Sequence, residues 1–313
     1  MKKGLSCREA FCNELTELGK RNTDIVALTS DAKGSSALSV FANALPGQFV
    51  EVGIAEQNEV GMAAGLAAVG KRPYVCAPAS FMSARALEQI KVDVAYSRMN
   101  VKILAVSGGI SYGALGASHH SAHDIAVFRA IPGLQVVLPC DEVQTVALLH
   151  ELEAKDNPAY IRVGKMAMPV VYESGTKFVI GKAMRVREGG DLTIIACGEM
   201  VWPAVTAADA LGREGIAAGV LDMHTLSPLD DEAILAAAEK GPIITIEEHS
   251  LNGGLGASVA RLTATHKPVP MRTLGLPENE NAVAGASMDV FTHYGLDADG
   301  ICRAAHELMK AGR

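Results

Sequence analysis

The segment from Val101 to Val106, with the sequence VKILAV, is a nearly continuous apolar run of strand length. A strand that is apolar on both sides is buried on both faces, which is typical of a parallel sheet covered by helices. Shorter apolar runs alternate with helix-length segments from one end of the chain to the other. The chain has 313 residues, which is enough for two domains. We therefore predict an α/β protein with two doubly wound domains.

The alternation of strands and helices is interrupted at residues 167–178, and we predict an inter-domain linker there. The first domain then covers residues 1–166 and the second covers residues 179–313. We expect the second domain to begin with a hairpin in which Phe178–Arg187 pairs with Asp191–Ala196. Ser6 and Glu9 have the spacing of a capping box, which predicts a helix from residue 7.

Composition limits the possible partners of the chain. Its formal charge is −7 and it has no basic run, so nucleic acid is not an expected partner. No apolar run is long enough to span a bilayer, and no signal-peptide pattern follows Met1. The six cysteines are scattered without a CxxC pair, which is typical of buried thiols in a reducing compartment. We predict a cytoplasmic protein without a membrane partner.

Glu56 lies where the short strand Phe49–Val52 gives way to a helix rich in Gly and Ala. An acid at the carboxyl end of a parallel strand is a frequent ligand position in doubly wound sheets. The small residues that follow predict that another group approaches the helix backbone closely. The alternative is an exposed acid that complements the helix dipole. We predict that Glu56 takes part in proton chemistry on a cofactor that this chain holds only in part.

The loop from Ser107 to His123 contains four glycines and three histidines directly after a buried strand. Long glycine-rich loops at strand ends more often bind ligands than fill space. The spacing of His119, His120 and His123 does not match a zinc signature, and no cysteine or acid cluster accompanies them. We predict no metal site here. Instead we expect one histidine to bind substrate or shuttle a proton, and at least one to be structural.

Three further residues have both a functional and a structural interpretation. Phe81 could stack on a flat ring or pack in the core. Asp31 follows a strand end, where it could meet a ligand or simply cap a turn. Arg162, near the end of the strand YIRVGK, needs an anion, which is either a carboxylate of the protein or a substrate phosphate. The residues alone favour the structural interpretation for all three.

Several long motifs together resemble the transketolase family, which uses thiamine diphosphate. The stretches VGIAEQNEVGMAAGLAAVGKRP, FMSARALEQIKVDVAYSRMNVKIL and SYGALGASHHSAHDIAVFRAIPGLQVVLPCD are similar to its pyrimidine-binding domain. The stretch ITIEEHSLNGGLGASVA is similar to its C-terminal domain. The resemblance covers nearly the whole chain. It implies the B subunit of a split transketolase, which transfers a two-carbon ketol unit between phosphorylated sugars.

The resemblance also implies roles for individual residues. Glu56 matches the family glutamate that bonds the aminopyrimidine ring and so promotes loss of the thiazolium C2 proton, and an apolar pocket suits this task. Phe81 matches an aromatic side chain that packs on that ring. His119 matches a histidine that contacts the donor sugar at the reacting centre. The resemblance further places Asp31 beside the cofactor, Ser35 beside the substrate, and Arg162 at the sugar phosphate.

Two positions depart from the full-length sugar transketolases that the chain resembles. Leu115 stands where these enzymes have an aspartate that binds a substrate hydroxyl, and Ser107 stands where they have a histidine. The pocket therefore loses a charge and a hydrogen-bond donor. We expect a substrate outside the usual pentose phosphates, such as a branched or deoxy ketose phosphate of the apulose 4-phosphate type.

The family's diphosphate motif, GDG followed about thirty residues later by Asn, is missing from the sequence. The resemblance therefore implies that a partner, the A subunit of the split enzyme, supplies the Mg²⁺ ligands and the diphosphate site. We expect a heterotetramer and some self-association. Two alternatives remain open: a subunit like the β chain of 2-oxo acid dehydrogenases or like deoxyxylulose-phosphate synthase, and a catalytically silent partner of a thiamine enzyme.

Overall fold

The computed structural model describes residues 3–279 and 281–311 of the chain, which form two large sheets covered by helices and one small two-stranded sheet. This architecture confirms the predicted α/β class with two domains. The strands are β1 (Lys3–Ser6), β2 (Ile25–Thr29), β3 (Phe49–Glu51), β4 (Arg72–Pro78), β5 (Lys102–Val106), β6 (Gln135–Val137), β7 (Ala159–Val163), β8 (Ala167–Pro169), β9 (Met184–Arg187), β10 (Leu192–Ala196), β11 (Ala218–Asp222), β12 (Thr225–Ser227), β13 (Ile243–Ser250) and β14 (Met271–Leu276).

The helices cover the sheets and connect most of the parallel strands. They are α1 (Cys7–Arg21), α2 (Ser39–Ala44), α3 (Glu56–Ala68), α4 (Ala79–Ala84), α5 (Leu87–Gln89), α6 (Asp124–Arg129), α7 (Glu142–Glu153), α8 (Val201–Arg213), α9 (Asp231–Lys240), α10 (Leu255–His266), α11 (Ser287–His293) and α12 (Ala298–Ala311). A π-helical segment, Ile90–Tyr96, continues α5. The predicted capping box is present at the start of α1, where Ser6 and Glu9 bond each other's backbone.

The first sheet has the strand order β12-β6-β7-β5-β4-β2-β3 and is parallel except for β12. Its central strand β5 is buried along its whole length, as the apolar run predicts. Because the parallel strands share one direction, the loops after β2, β3, β4, β5 and β7 leave from the same edge of the sheet. The candidate functional residues all lie in or near these loops.

The second sheet has the order β14-β13-β10-β11-β9, and here the predicted hairpin is wrong. β9 pairs antiparallel with β11, whereas β10 lies between β11 and β13. β10 is fully buried, so it takes a central position with parallel neighbours on both sides. β9 is half-buried and alternates apolar and charged residues, which suits the sheet edge.

The two domains are interlocked through short strands. β12 belongs to the second half of the chain but pairs with β6 of the first sheet. The segment predicted as a linker contains β8, which pairs with β1. The backbone N–H groups of Val171 and Tyr172 in that segment donate to the carboxylate of Asp141. The connection between the domains is therefore an ordered, bonded part of the structure.

Candidate active site

Glu56 is the first residue of α3 and only 1% of its surface is exposed. The chain reaches it through a turn at Gly53, whose φ of 72° favours glycine. The Glu56 carboxylate forms an ion pair with Arg85, which is itself half-exposed. The burial rules out the exposed acid at a helix start that the sequence left as an alternative.

Glu59, one turn further along α3, connects the helix to the sheet through hydrogen bonds. Its carboxylate accepts hydrogen bonds from the Ser30 hydroxyl at 2.6 Å and from the Cys76 N–H at 3.1 Å. Burial raises the pKa of Glu59 to about 7. Since Ser30 follows β2 and Cys76 lies in β4, this one side chain fixes the first turn of α3, and with it Glu56, against two strands.

Phe81, in α4, joins Glu56 to the loop that follows β5. The Arg85 guanidinium, which holds Glu56, lies 5.0 Å from the centre of the Phe81 ring. The His119 ring meets the same phenyl ring edge to face, with 5.4 Å between the two centres. Phe81 is half-buried, so part of its ring remains open to a ligand.

We call residues 107–123 the substrate loop. Within it His120 is buried, and its Nε2 bonds the carbonyl oxygen of Gly113 at 3.0 Å, so this histidine stabilises the loop. His119 is half-buried between the rings of Phe81 and Tyr112. Its Nδ1 bonds the Ser118 hydroxyl at 3.0 Å, and its Nε2 has no partner in the part of the chain that the structure describes. His119 thus keeps one ring nitrogen open to a ligand. His123 is exposed, and its Nε2 lies 3.2 Å from the Ser83 hydroxyl.

Lys165 extends the same group of side chains. It is exposed, and its ammonium lies 5.3 Å from the centre of the Tyr112 ring. Tyr112 in turn contacts His119, with ring centres 5.4 Å apart. A chain of contacts therefore runs from Glu56 through Arg85, Phe81, His119 and Tyr112 to a surface lysine.

Arg162 lies outside this chain of contacts. Its side chain is 6% exposed, and its Nη2 donates to the carbonyl oxygen of Glu248 at 2.7 Å. Its Nε lies 3.1 Å from Asp124 Oδ2, an ion-pair distance at an angle that gives no hydrogen bond. The anions that Arg162 needs are therefore carboxylates of the protein itself. This agrees with the structural interpretation of Arg162, in which it forms an ion pair within the protein.

Asp31 and Ser35 lie in the loop after β2. Asp31 is exposed and adopts a positive φ of 52°, and its backbone N–H donates to Glu51 Oε1 at 2.7 Å. The hydroxyl of Ser35 donates to the carbonyl oxygen of Ala32 at 3.0 Å, and the Ser35 carbonyl accepts from Arg8. Within the described residues no hydrogen bond joins either side chain to the site, although Ser30 links their loop to α3 through Glu59.

Leu115 and Ser107, the two positions that the sequence analysis expected to affect substrate choice, differ in exposure. Leu115, on a 3₁₀ turn of the substrate loop, is 53% exposed, which is high for a large apolar side chain. Ser107, at the start of the loop, is fully buried with a positive φ of 56°. Leu115 can therefore meet a substrate directly, whereas Ser107 lies beneath the loop.

Neither a metal centre nor a membrane span occurs in residues 3–279 and 281–311. These residues contain no group of three or more His, Cys, Asp or Glu side chains placed to hold a metal ion. Across the same ranges no helix has both the length and the apolar character needed to cross a bilayer. All six cysteines are free.

Comparison with known protein families accounts for both domains. Residues 3–170 match the transketolase pyrimidine-binding domain, and residues 181–301 match the transketolase C-terminal domain. The chain belongs to the transketolase family. This membership agrees with the resemblance that the sequence motifs show and with the position of Glu56 at a strand-to-helix junction.

Two transketolase relatives and one solved structure are similar over nearly their full length. The B subunit of apulose-4-phosphate transketolase from Phocaeicola vulgatus is 55% identical over 98% of both chains. A 6-deoxy-6-sulfo-D-fructose transketolase subunit from Clostridium sp. is 38% identical, over 97% of this chain and 94% of the relative. The structure of a split-gene transketolase, an inactive β4 tetramer, matches with a TM-score of 0.91 and 38% identity, over 99% of this chain and 100% of that one.

Three residues that the structure brings into this group of side chains were missed by the sequence analysis. Arg85 lies four residues after Phe81, a spacing that places both on one face of a helix. Lys165 follows the end of the buried strand β7, whereas Arg162 lies inside that strand, so the strand boundary distinguishes the two cations. Tyr112 carried no comparable signal, since its contacts depend on the path of the substrate loop.

Proposed function

We propose that this chain is the B subunit of a split transketolase and holds the pyrimidine end of thiamine diphosphate. With its partner it transfers a two-carbon ketol unit between phosphorylated sugars. The observation that supports this proposal best is the buried carboxylate of Glu56, which is connected through Arg85 and Phe81 to the open histidine His119.

The side chains present suit an aminopyrimidine ring. Phe81 offers a half-exposed aromatic face, and Glu56 offers a buried carboxyl group for a ring nitrogen. Arg85 is 46% exposed, so it can turn toward solvent and release Glu56. When bound, thiamine diphosphate supplies the centre that stabilises a carbanion. The task of Glu56 is to hold a proton at the ring nitrogen in a site sheltered from water.

His119 and Lys165 suit the two ends of a sugar phosphate. The unbonded Nε2 of His119 can hold or move a proton at a substrate oxygen. Lys165 is exposed, and a lysine binds phosphate as a point charge. We therefore assign the phosphate contact to Lys165 in place of Arg162, because the carboxylates of Asp124 and Glu248 already surround that arginine. Asp31 and Ser35 keep their proposed places beside the cofactor and the substrate.

The outer face of α3 suits a partner chain. Apart from the adjacent residues and the backbone of α3 itself, no atom of the described residues lies within 4 Å of the position that a Cβ would take at Gly61 or Gly65. Ile54 and Val69, at the two ends of the helix, are 75% and 77% exposed. Bare helix backbone with apolar side chains beside the proposed cofactor site favours an interface there. We propose that the A subunit covers this face and supplies the Mg²⁺ ligands and the diphosphate site.

Self-association is the expected behaviour of the chain without its partner. The similar split-gene chain forms an inactive β4 tetramer. We propose that, without the A subunit, two copies of the present chain associate through their α3 faces. The A subunit then replaces one of the two copies. The active unit is then a heterotetramer. The six free thiols suit a reducing compartment, so we propose that this assembly works in the cytoplasm.

A branched or deoxy ketose phosphate is the proposed donor. The exposed Leu115 offers no hydrogen bond to a substrate hydroxyl. The 55% identical relative is an apulose-4-phosphate transketolase chain, which supports apulose 4-phosphate as the first compound to test. The exposed Lys165 favours a phosphorylated sugar over the substrates of a 2-oxo acid dehydrogenase. The buried Glu56 and the open His119 argue against a silent partner.

The test is reconstitution with a transketolase chain that carries the diphosphate domain. We expect ketol transfer from apulose 4-phosphate to an aldose phosphate, measured as ketose phosphate product by mass spectrometry. The lone chain is the control and should turn nothing over. Decarboxylation of pyruvate without ketol transfer would instead support the 2-oxo acid alternative. Cofactor binding without any turnover on either class of substrate would support a silent partner.

A further inference from the structure

The substrate loop is closed at its base by a pair of backbone hydrogen bonds. The N–H of Gly109 donates to the carbonyl of Ser121 at 3.0 Å, and the N–H of Ser121 donates to the carbonyl of Gly109 at 2.7 Å. Residues 110–120 therefore form a lobe that carries Tyr112, Leu115 and His119. Whatever fixes the base of this lobe also fixes the position of His119 relative to Phe81.

The end of β13, in the second domain, holds that base. Glu248 Oε1 accepts the N–H of Ile110 at 2.6 Å and lies 3.3 Å from the Ser111 hydroxyl. The N–H of Ser250, two residues further along, donates to the carbonyl of Ala122 at 2.8 Å. β13 pairs with β10 only as far as Ile246, so these residues extend beyond that ladder toward the first domain.

The packing leaves Glu248 little freedom. A Cβ at Gly109 would lie 2.4 Å from Glu248 Cγ and 2.4 Å from Arg162 Nη2, so only glycine fits there. Arg162 Nη2 donates to the Glu248 backbone carbonyl and lies 3.6 Å from Glu248 Oε2. This arrangement gives the buried Arg162 a role: it holds Glu248 in place against the loop.

A second contact comes from the segment before α11. The Ser287 hydroxyl donates to the carbonyl oxygen of Ser111 at 3.0 Å. Gly113, with a φ of 45°, approaches Gly285 so closely that a Cβ there would lie 2.5 Å from the Gly285 oxygen. The lobe thus contacts the second domain at its base and along its side.

We propose that Glu248 is a positioning residue for the reaction. Without touching the substrate, it sets the place of His119 through the backbone of Ile110 and Ser111. The second domain therefore acts on the rate of ketol transfer as well as on stability. This inference rests on the proposed function, in which His119 meets the sugar.

Glu247, the neighbouring residue, provides a matched control. It is also buried, but its carboxylate accepts the N–H groups of Leu255 and Gly256, both at 2.7 Å and both at the start of α10. Burial raises the pKa of Glu247 and of Glu248 alike. Both oxygens of each carboxylate face donors: those of Glu248 face the Ile110 N–H and Arg162 Nη2, and those of Glu247 face the N–H groups of Leu255 and Gly256. Glutamine therefore sets an NH₂ group against one donor at either position. Only Glu248→Gln does so at the substrate loop.

The experiment compares the two variants in the reconstituted enzyme. For Glu248→Gln we expect kcat/KM for the ketose phosphate to fall at least tenfold, with the Kd of thiamine diphosphate within about twofold of wild type. We expect Glu247→Gln to stay within about twofold in both quantities. Ser287→Ala removes one hydroxyl and should raise KM severalfold, so it tests the contact even if Glu248→Gln folds poorly. An unchanged kcat/KM in a correctly folded Glu248→Gln would overturn the proposal, and so would an unchanged kcat/KM in Ser287→Ala if Glu248→Gln does not fold.

Amide hydrogen exchange separates this inference from the proposed function. We expect Glu248→Gln to speed exchange in residues 110–121, and Glu247→Gln to speed exchange near Leu255 instead. If the wild-type pair transfers no ketol unit, the proposed function fails, while the exchange data still show whether Glu248 holds the loop. Faster exchange in the loop without any change in kcat/KM would refute the positioning role.

Discussion

The buried carboxylate of Glu56 is paired with the guanidinium of Arg85, which also lies over the ring of Phe81. Glu56 Oε2 and Arg85 Nη1 are 2.5 Å apart, and the arginine is the exposed member of the pair. A bound pyrimidine ring would need the same carboxyl group and the same aromatic face. Arg85 therefore occupies, within the chain itself, the place that we assign to the cofactor ring.

The first prediction concerns proton transfer at Glu56. Glutamine keeps the size of the side chain but cannot hold an acidic proton for a ring nitrogen. In the reconstituted pair, Glu56→Gln should lower kcat by about 10²–10⁴-fold, the usual contribution of a general acid or base. Size-exclusion chromatography should show unchanged assembly, and Glu173→Gln, at an exposed residue between the two domains, is the control. A rate near that of wild type would rule out the proposed role of Glu56.

The second prediction concerns the ion pair itself. Arg85→Met leaves Glu56 buried without a counter-charge, which costs about 3–5 kcal/mol for a fully buried pair. Because Arg85 is half-exposed and solvent screens it, we expect the free energy of unfolding of the lone chain to fall by about 1–2 kcal/mol. The double variant Arg85→Met/Glu56→Gln should recover most of this loss. Additive losses in the double-mutant cycle would show that the two side chains do not interact.

The sequence predicted the elements that depend on local pattern. Continuous apolar runs identified the buried strands such as β5, and the Ser6–Glu9 spacing identified the start of α1, because burial and capping act over a few residues. The position of Glu56 between β3 and α3 followed from the same signals. Its burial depends on Ser30 and Cys76, through Glu59, and these contacts bring together three separate segments.

Pairings between distant segments were not predictable in the same way. β9 pairs with β11 instead of β10, and β12 pairs with β6 of the first sheet. Both strands lie at a sheet edge that remains free once the other strands have packed. Arg162 had two possible anions, and the choice depends on Glu248, which lies 86 residues further along the chain. Lys165 and Tyr112 come together only through the fold of the substrate loop.

The third prediction concerns pH and Glu199. This buried carboxylate has no hydrogen-bond partner among the described residues, and burial together with the charge of Glu248 raises its pKa. The folded state thus binds the proton more tightly than the unfolded state, whose pKa is about 4.3. The contribution of Glu199 to the free energy of unfolding is therefore fully present below about pH 4.3, and it is lost as the pH rises through the raised pKa.

Glu199→Gln removes this titration without breaking a hydrogen bond. We expect its Tm to exceed that of wild type by several degrees at about pH 8.5, and the difference to shrink toward about pH 5. Calorimetry across this range checks the prediction. Glu173→Gln, which is exposed, should show no such trend. A Tm difference that is constant with pH would mean that Glu199 does not titrate in this range.

The fourth prediction concerns the independence of the domains. Residues 1–178 alone lack β12, which covers the β6 edge, and they lack Glu248, which contacts the substrate loop. An uncovered strand edge and a large exposed core surface favour aggregation. We expect this fragment to show no cooperative thermal transition, whereas the whole chain should unfold cooperatively. A sharp transition and native near-ultraviolet circular dichroism in the fragment would show that the first domain folds alone.

The last prediction concerns substrate choice at Leu115. The side chain is exposed on the lobe that carries His119, and it offers no hydrogen bond to a sugar hydroxyl. An aspartate there adds a charged acceptor, and hydrogen bonds to charged groups contribute about 1.5–3 kcal/mol. Since the site is open to water, we expect Leu115→Asp to shift the ratio of kcat/KM between a linear ketose phosphate and apulose 4-phosphate by about tenfold toward the linear sugar.

Two control variants isolate the effect of that charge. Asparagine has nearly the same size as aspartate but no charge. Leu115→Asn should therefore shift the ratio of kcat/KM values in the same direction by a smaller factor. Ala114→Asp places the charge one residue earlier, on another side of the 3₁₀ turn, and should leave the ratio nearly unchanged. An equal shift in Leu115→Asp and Ala114→Asp would mean that a general electrostatic change acts on both sugars. In that case contact with one hydroxyl would not explain the preference, and Leu115 would no longer account for a branched or deoxy substrate.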